Sequence, residues 1–121
     1  MNSSANLPVF EPEKFMEQVA NDRELSIEII NLFLSEEPSQ VAEMQRALAA
    51  RDYNSLYVTA HTIKGSLGSL HAALARFHAE ALESAAKNQD EPGCERSLIA
   101  LKNDLETLEP ELLNLRDNNR V

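Results

Sequence analysis

The sequence is short of several residues whose abundance would mark particular classes of protein. Only one cysteine, Cys94, is present, so no intramolecular disulfide and no cysteine-rich zinc site can form. A lone thiol of this kind fits a reducing compartment and reads as a small apolar filler. Tryptophan is absent, glycine occurs three times and β-branched runs are few, while Ala, Leu and Glu dominate. That balance disfavours sheet and favours helix in nearly every window. No apolar stretch approaches the roughly 20 residues of a membrane span, and the opening MNSSANLPVF has neither the charge nor the apolar core of a signal peptide. The chain is therefore expected to be soluble and cytoplasmic, without membrane contact. Basic residues are scarce as well: eleven Lys and Arg stand against twenty Asp and Glu, the formal net charge is -9, and no basic cluster exceeds two residues. A nucleic-acid groove is excluded on that pattern, and the acidity serves solubility.

What remains is helical periodicity over 121 residues, enough for one hydrophobic core and too few for two. Residues 1–10 are expected to form a disordered N-terminal segment and residues 11–117 a single domain. A short helix is predicted near Glu11, with Pro12 acceptable in its first turn and Phe15, Met16 and Val19 as an apolar edge. From Asp22, an N-cap, the residues Leu25, Ile29, Leu32, Phe33, Val41, Met44 and Leu48 recur at helical spacing up to Arg51. Pro38 removes a backbone donor there, which predicts a kink or brief break between Ser35 and Pro38. Asp52 caps a second helix with the core stripe Leu56, Ala60, Ile63, Leu67 and Leu70. A third, from about Ala72 to Lys87, is predicted to face Leu74, Phe77, Ala81 and Ala85 inward, and its short connection allows only antiparallel packing on the second.

Asn88 to Gly93 is turn chemistry, and a final helix carries Leu98, Leu101, Leu105, Leu108, Leu112 and Leu115, with Pro110 kinking it near its end. The predicted fold is all-α: an up-down-up-down antiparallel four-helix bundle with a short additional N-terminal helix. The leucine stripes would also suit a coiled-coil oligomer, but the two cleanest span only about three heptads each and turns separate them, so a monomer is expected.

Chemistry concentrates in one place. An α-helix turns about 100° per residue, so with His61 set at zero the core stripe of the second helix lies between about 180° and 260°, and His61 points to solvent. Tyr57 and Val58 one turn before it, Lys64 and Gly65 one turn after, and Gly68 two turns after share its face. Each glycine costs a helix about 0.8 to 1.0 kcal/mol relative to alanine, so a purely structural sequence avoids two on one face. A frayed end or a close helix crossing could excuse them, but the core lies on the other side. The remaining reason is that another surface comes close to the imidazole. A neutral ring nitrogen can attack phosphorus, and an ammonium at i+3 can offset phosphoryl charge. A lone exposed histidine is ordinarily a solvated surface residue; the lysine and glycines around this one are what set it apart.

The segment Ala60-His61-Thr62-Ile63-Lys64-Gly65-Ser66 resembles the A-H-x-L-K-G-S signature of histidine-containing phosphotransfer (HPt) domains. Gly68, Leu70, Ala72 and Leu82-Glu83 fall at the family's spacings, and upstream Phe33-Leu34 to Pro38 is similar too, so the resemblance covers roughly residues 25 to 105. It implies a phosphorelay carrier of two-component signal transduction. His61 would accept a phosphoryl group from a receiver-domain phospho-aspartate and pass it to another receiver domain. Lys64 would steady the phosphoryl oxygens, while Gly65 and Gly68, with Tyr57 and Val58 beside them, would leave room for docking. Glu83 and Lys87 stand where the family has a polar residue meeting the other ring nitrogen and a basic residue near the phosphate; otherwise such an i, i+4 couple is a surface ion pair.

The resemblance further implies a transfer intermediate with no kinase activity of its own and no cofactor, magnesium being expected on the receiver. The partners implied are response-regulator receiver domains, a hybrid sensor histidine kinase, or both. One departure is His71, where the family usually has glycine: a left-handed backbone strains histidine, so the turn there is expected to differ in shape. His71 lies ten residues and nearly three turns from His61, so a metal site joining the two, or His78, is not expected. Two other functions remain open on the residues alone. One is a helical adaptor that docks a receiver or kinase domain through the Tyr57, Val58 and glycine face without being phosphorylated, and the other is an unrelated structural bundle.

Overall fold

Asp22 and Asp52 accept hydrogen bonds from the amides of Leu25 and Ser55, each at 3.1 Å, and so open the two helices that follow them. The computed structural model describes residue 4 and residues 6–118, and these two helices are α2 (Arg23–Ala49) and α3 (Tyr53–Ser69). The short α1 (Pro12–Gln18) precedes them, and α4 (Ala73–Lys87) and α5 (Glu91–Asn118) follow. Each long helix packs on two others, α2 on α3, α3 on α4, α4 on α5 and α5 back on α2, which closes the antiparallel four-helix bundle predicted from the stripes. Among the described residues no helix is long and apolar enough to cross a membrane.

The turns explain why glycine is free for other uses. Arg51, His71 and Gln89 take the left-handed positions after α2, α3 and α4, with φ of 54°, 59° and 53°. At each, the next amide reaches back over the helix end, as Asp52 N–H to the Ala47 carbonyl and Ala72 N–H to the Leu67 carbonyl. No glycine has a positive φ, and Gly65, Gly68 and Gly93 all lie inside helices. The different turn shape expected at His71 is not seen: it takes the same left-handed turn as Arg51 and Gln89, and the surroundings hold it, His71 Nε2 meeting Gln18 Oε1 at 2.6 Å and Gln18 Nε2 donating to the Ser69 carbonyl at 3.2 Å.

The structure departs from the sequence reading at four points. First, the helix does not break at Pro38: α2 runs through it, because the ring sits on the exposed side, where water can satisfy the carbonyl it orphans; the Ser35 and Ser39 hydroxyls bond carbonyls on either side of it. Pro110, also exposed, likewise lies inside α5, which continues past it as the sequence reading expects. Second, α5 begins at Glu91, so only Asn88 to Asp90 form the turn: Asp90 caps the helix by accepting from Gly93 N–H at 3.1 Å, and Pro92 needs no donor in a first turn. Third, part of the segment expected to be disordered is pinned down. Phe10 is buried against Phe15, Leu74 N–H at the start of α4 donates to the Pro8 carbonyl, and Glu11 N–H donates to the His71 carbonyl. Ala72 offers α4 no side-chain cap, and the Pro8 carbonyl serves in its place. Residues 1–3 and 5 of that segment lie outside the described residues.

Fourth, the buried stripe of α4 sits beside the predicted one, and that of α2 is shifted in part: of its predicted residues Phe33 and Met44 are buried and Ile29, Val41 and Leu48 pack against the core. In α2, Ser26, Ile30, Phe33, Met44 and Ala47 are buried, whereas Leu25 and Leu32 are exposed. In α4 the buried row is Ala75, Ala79, Leu82 and Ala86, with Leu74, Phe77, Ala81 and Ala85 only half-buried. Small side chains let α4 approach its neighbours closely, so its larger residues flank the contact instead of filling it. Ala79→Leu is therefore expected to cost about 1–3 kcal/mol by overpacking, and Ala81→Leu much less. Urea unfolding of the two variants measures the difference, and equal losses would contradict the observed register. The stripes of α3 and α5 are as predicted, apart from Leu115, which is half-buried, and Cys94 is a buried free thiol.

Candidate functional site

Because α3 and α4 are antiparallel about the turn at His71 and Ala72, residues equally far from Ala72 in sequence face one another. His61 and Glu83 are such a pair. His61 Nδ1 lies 2.6 Å from Glu83 Oε2, and Lys64 Nζ donates to Glu83 Oε1 at 2.7 Å. One carboxylate thus engages both the histidine and the lysine one turn on. The His61 side chain is 61% exposed, those of Glu83 and Lys64 only 12% and 21%, so the triad is a supported base with an open ring above it. Tyr57 stacks on the imidazole from the preceding turn, with centroids 6.2 Å apart and planes inclined by 13°, and Val58 beside it is 53% exposed.

The electrostatics fix the ring's chemistry. Burial alone would push the Glu83 carboxyl up, but the hydrogen bonds and charge of Lys64 and His61 outweigh it and hold the group below the ordinary carboxylate range. An ionised carboxylate only accepts, so Nδ1 must carry the proton it shares with Glu83, and in the neutral ring the lone pair is then on Nε2. A carboxyl with a lowered folded value contributes stability above the unfolded value, about 4.3, and loses it as pH falls through the folded one. Glu83→Gln is expected to be less stable than the parent at neutral pH, with the gap closing on acidification below about pH 4. Urea titrations from pH 7 to 3 test this, and a gap independent of pH would contradict it.

The predicted residues do not all converge. Lys87 is exposed at the end of α4 and makes no ion pair with Glu83; it shares a groove of about 320 Å³ with Tyr53 and Tyr57 instead. Among the described residues it has no ion-pair partner. The two glycines also differ. A Cβ at Gly65 would meet nothing within 4 Å, whereas one at Gly68 would lie 3.2 Å from Arg76 Nε and 3.4 Å from its Cδ. Arg76 is absent from the sequence reading, although Gly68 and Arg76 are equidistant from Ala72 and so face each other by the same rule that pairs His61 with Glu83. Among the described residues, no group of three or more His, Cys, Asp or Glu is placed to hold a metal ion.

An open imidazole, backed by a carboxylate and an ammonium on an antiparallel helical bundle, is thus the chemical centre of this face. Comparison with known proteins gives the family. The Hpt domain profile matches residues 28–111. The crystal structure of the HPT domain from the Hpt sensor hybrid histidine kinase from Shewanella superposes with a TM-score of 0.81, covering 96% of this chain and 100% of that one at 20% identity. No curated protein matches the chain. The chain belongs to the Hpt domain family, the phosphorelay carriers of two-component signalling.

Proposed function

We propose that His61 accepts a phosphoryl group from a receiver-domain phospho-aspartate and passes it to a second receiver domain. The observation that carries this reading is the Glu83 contact, which spends Nδ1 and leaves Nε2 as the exposed nucleophile. The Nε2 lone pair attacks phosphorus, the bond from phosphorus to the aspartyl oxygen breaks, and the aspartate leaves as a carboxylate with the electron pair. The phospho-imidazole is then cationic, with Nδ1–H still donated to Glu83, whose negative charge offsets it. Attack by the second receiver's aspartate reverses the same steps. Gly65, Tyr57 and Val58 form the approach, and the unpaired charge of Lys87 is available to a docked phosphate. The partner receiver supplies magnesium; the chain works as a transfer intermediate in the cytoplasm, as a monomer.

Incubation with phosphorylated receiver domains, followed by detection of acid-labile, alkali-stable phosphate, tests the reading. Label on His61 is expected, and none from any receiver would overturn it. Lys64→Ala is expected to slow transfer or shorten the phosphohistidine lifetime, since the ammonium can leave Glu83 for the phosphoryl oxygens. Lys64 is half-buried on Glu83 and not fully exposed, so the variant should also lose about 0.5–1.5 kcal/mol of stability. Unchanged transfer and lifetime would remove Lys64 from the site.

A further inference from the structure

Charge is unevenly distributed over the bundle. Of the twenty acidic residues only Glu80 and Glu83 lie on α3 and α4, against three of the eleven basic ones, Lys64, Arg76 and Lys87. These two helices are therefore net +1, while the rest of the chain carries -10. A groove of about 620 Å³ runs along this less acidic face from Lys64 and Gly65 to Gly68 and Arg76, bounded by Glu80 and, from the N-terminal segment, Glu11. Glu11 is engaged with Lys14 at 3.1 Å and Lys64 with Glu83, but the Arg76 guanidinium has no partner among the described residues, even though Glu80 stands one turn on. Its side chain crosses the bare Cα of Gly68, and a Cβ there would crowd Nε and Cδ.

We propose that Arg76 is a docking anchor that binds a carboxylate on the rim of the partner receiver's phosphorylation site, and that Gly68 is the seat for Arg76 and not a clearance for the partner. The inference rests on the relay reading above. A planar guanidinium suits a carboxylate in two-point contact, and an unpaired one at the edge of an otherwise strongly acidic protein is the feature an acidic partner surface would find. Seating the side chain flat on α3 limits its rotamers, so less freedom is lost on docking than for an arginine projecting into solvent.

The test uses the full chain and the receiver domain that phosphorylates it fastest, charged with acetyl phosphate and magnesium. Arg76→Gln is expected to raise the KM for the receiver about fivefold or more and to weaken its dependence on NaCl, with transfer at saturating receiver within about twofold of the parent. Arg76→Lys should recover part of the loss, and melting temperatures should hold because Arg76 is exposed. Gly68→Leu should raise KM in the parent by evicting Arg76, and change it less than about twofold in the Arg76→Gln background. An unchanged KM in Arg76→Gln overturns the anchor while leaving the relay reading intact. A full additional effect of Gly68→Leu in that background overturns the seat. Failure of the parent to take phosphate from any receiver overturns the relay reading itself and the anchor with it.

Discussion

His61→Gln is expected to abolish phosphate acceptance while leaving the helical fold in place. The ring is 61% exposed, so its removal opens no cavity, and the loss is confined to one contact with Glu83 and one stacked face of Tyr57. An exposed substitution of this kind changes stability by about 0.5 kcal/mol or a little more, far below what unfolds a domain. No other histidine can substitute. His71 is tied through Nε2 to Gln18, and His78 is half-buried on α4 with Nδ1 against Asp104, on a different helix from Gly65 and Gly68. Circular dichroism and a phosphotransfer assay on the same sample measure both halves of the expectation. Label that persists and maps to His71 or His78 would overturn the assignment. This variant also decides between relay and adaptor: a non-phosphorylated adaptor would keep its partner and its signalling with glutamine at this position.

The parts of the molecule that are legible in the sequence are those governed by short-range rules. Asp22 and Asp52 cap where an aspartate precedes an apolar period, and the core stripe of α3 is buried as the helical angle requires. The exposure of His61 follows from that same angle. What the sequence hides depends on which neighbour a helix meets. In α4 the rows Leu74–Phe77–Ala81 and Ala75–Ala79–Leu82 are adjacent, and hydrophobicity alone favours the larger side chains; only the need for close packing turns the alanines inward. In α2 the same ambiguity leaves Leu25 and Leu32 outside. The docking of Pro8 and Glu11 onto the α3–α4 turn through their backbones is a long-range contact, which no local pattern records.

At the site, His61, Lys64 and Glu83 can each be named from the sequence, but their joint geometry cannot. The lysine belongs to the histidine's own helix, and its spacing alone predicts a charge free to meet phosphate. In the structure it already holds an anion, the Glu83 carboxylate, so stabilising a phosphoryl group requires an exchange of partners. Arg76 escapes a reading centred on His61's own helix, because it is the facing helix that lays it across the glycine. The antiparallel pairing about Ala72 is the available signal, and it identifies Arg76 opposite Gly68 as directly as Glu83 opposite His61.

Gly65 is where stability and function are expected to move in opposite directions. It lies inside α3 with a helical backbone and no positive φ, so nothing in its conformation requires glycine. An added Cβ would meet nothing within 4 Å, so packing does not require it either. Gly65→Ala should therefore stabilise the free protein by up to about 1 kcal/mol, through helix propensity and a less flexible unfolded chain. Gly65→Gln should be tolerated or mildly stabilising for the same reason, but its side chain would project beside His61, one turn along the same face, into the space a receiver must enter. The transfer rate should fall from Gly to Ala and by about tenfold or more for Gln, while the melting temperature holds or rises. Gly68 makes the contrast informative, because its missing side chain is already covered by Arg76 and that of Gly65 is not. A Gly65→Gln variant that relays phosphate at the parent rate would show that the open face of Gly65 is no clearance for a partner, and a large loss of stability would show that the glycine serves packing.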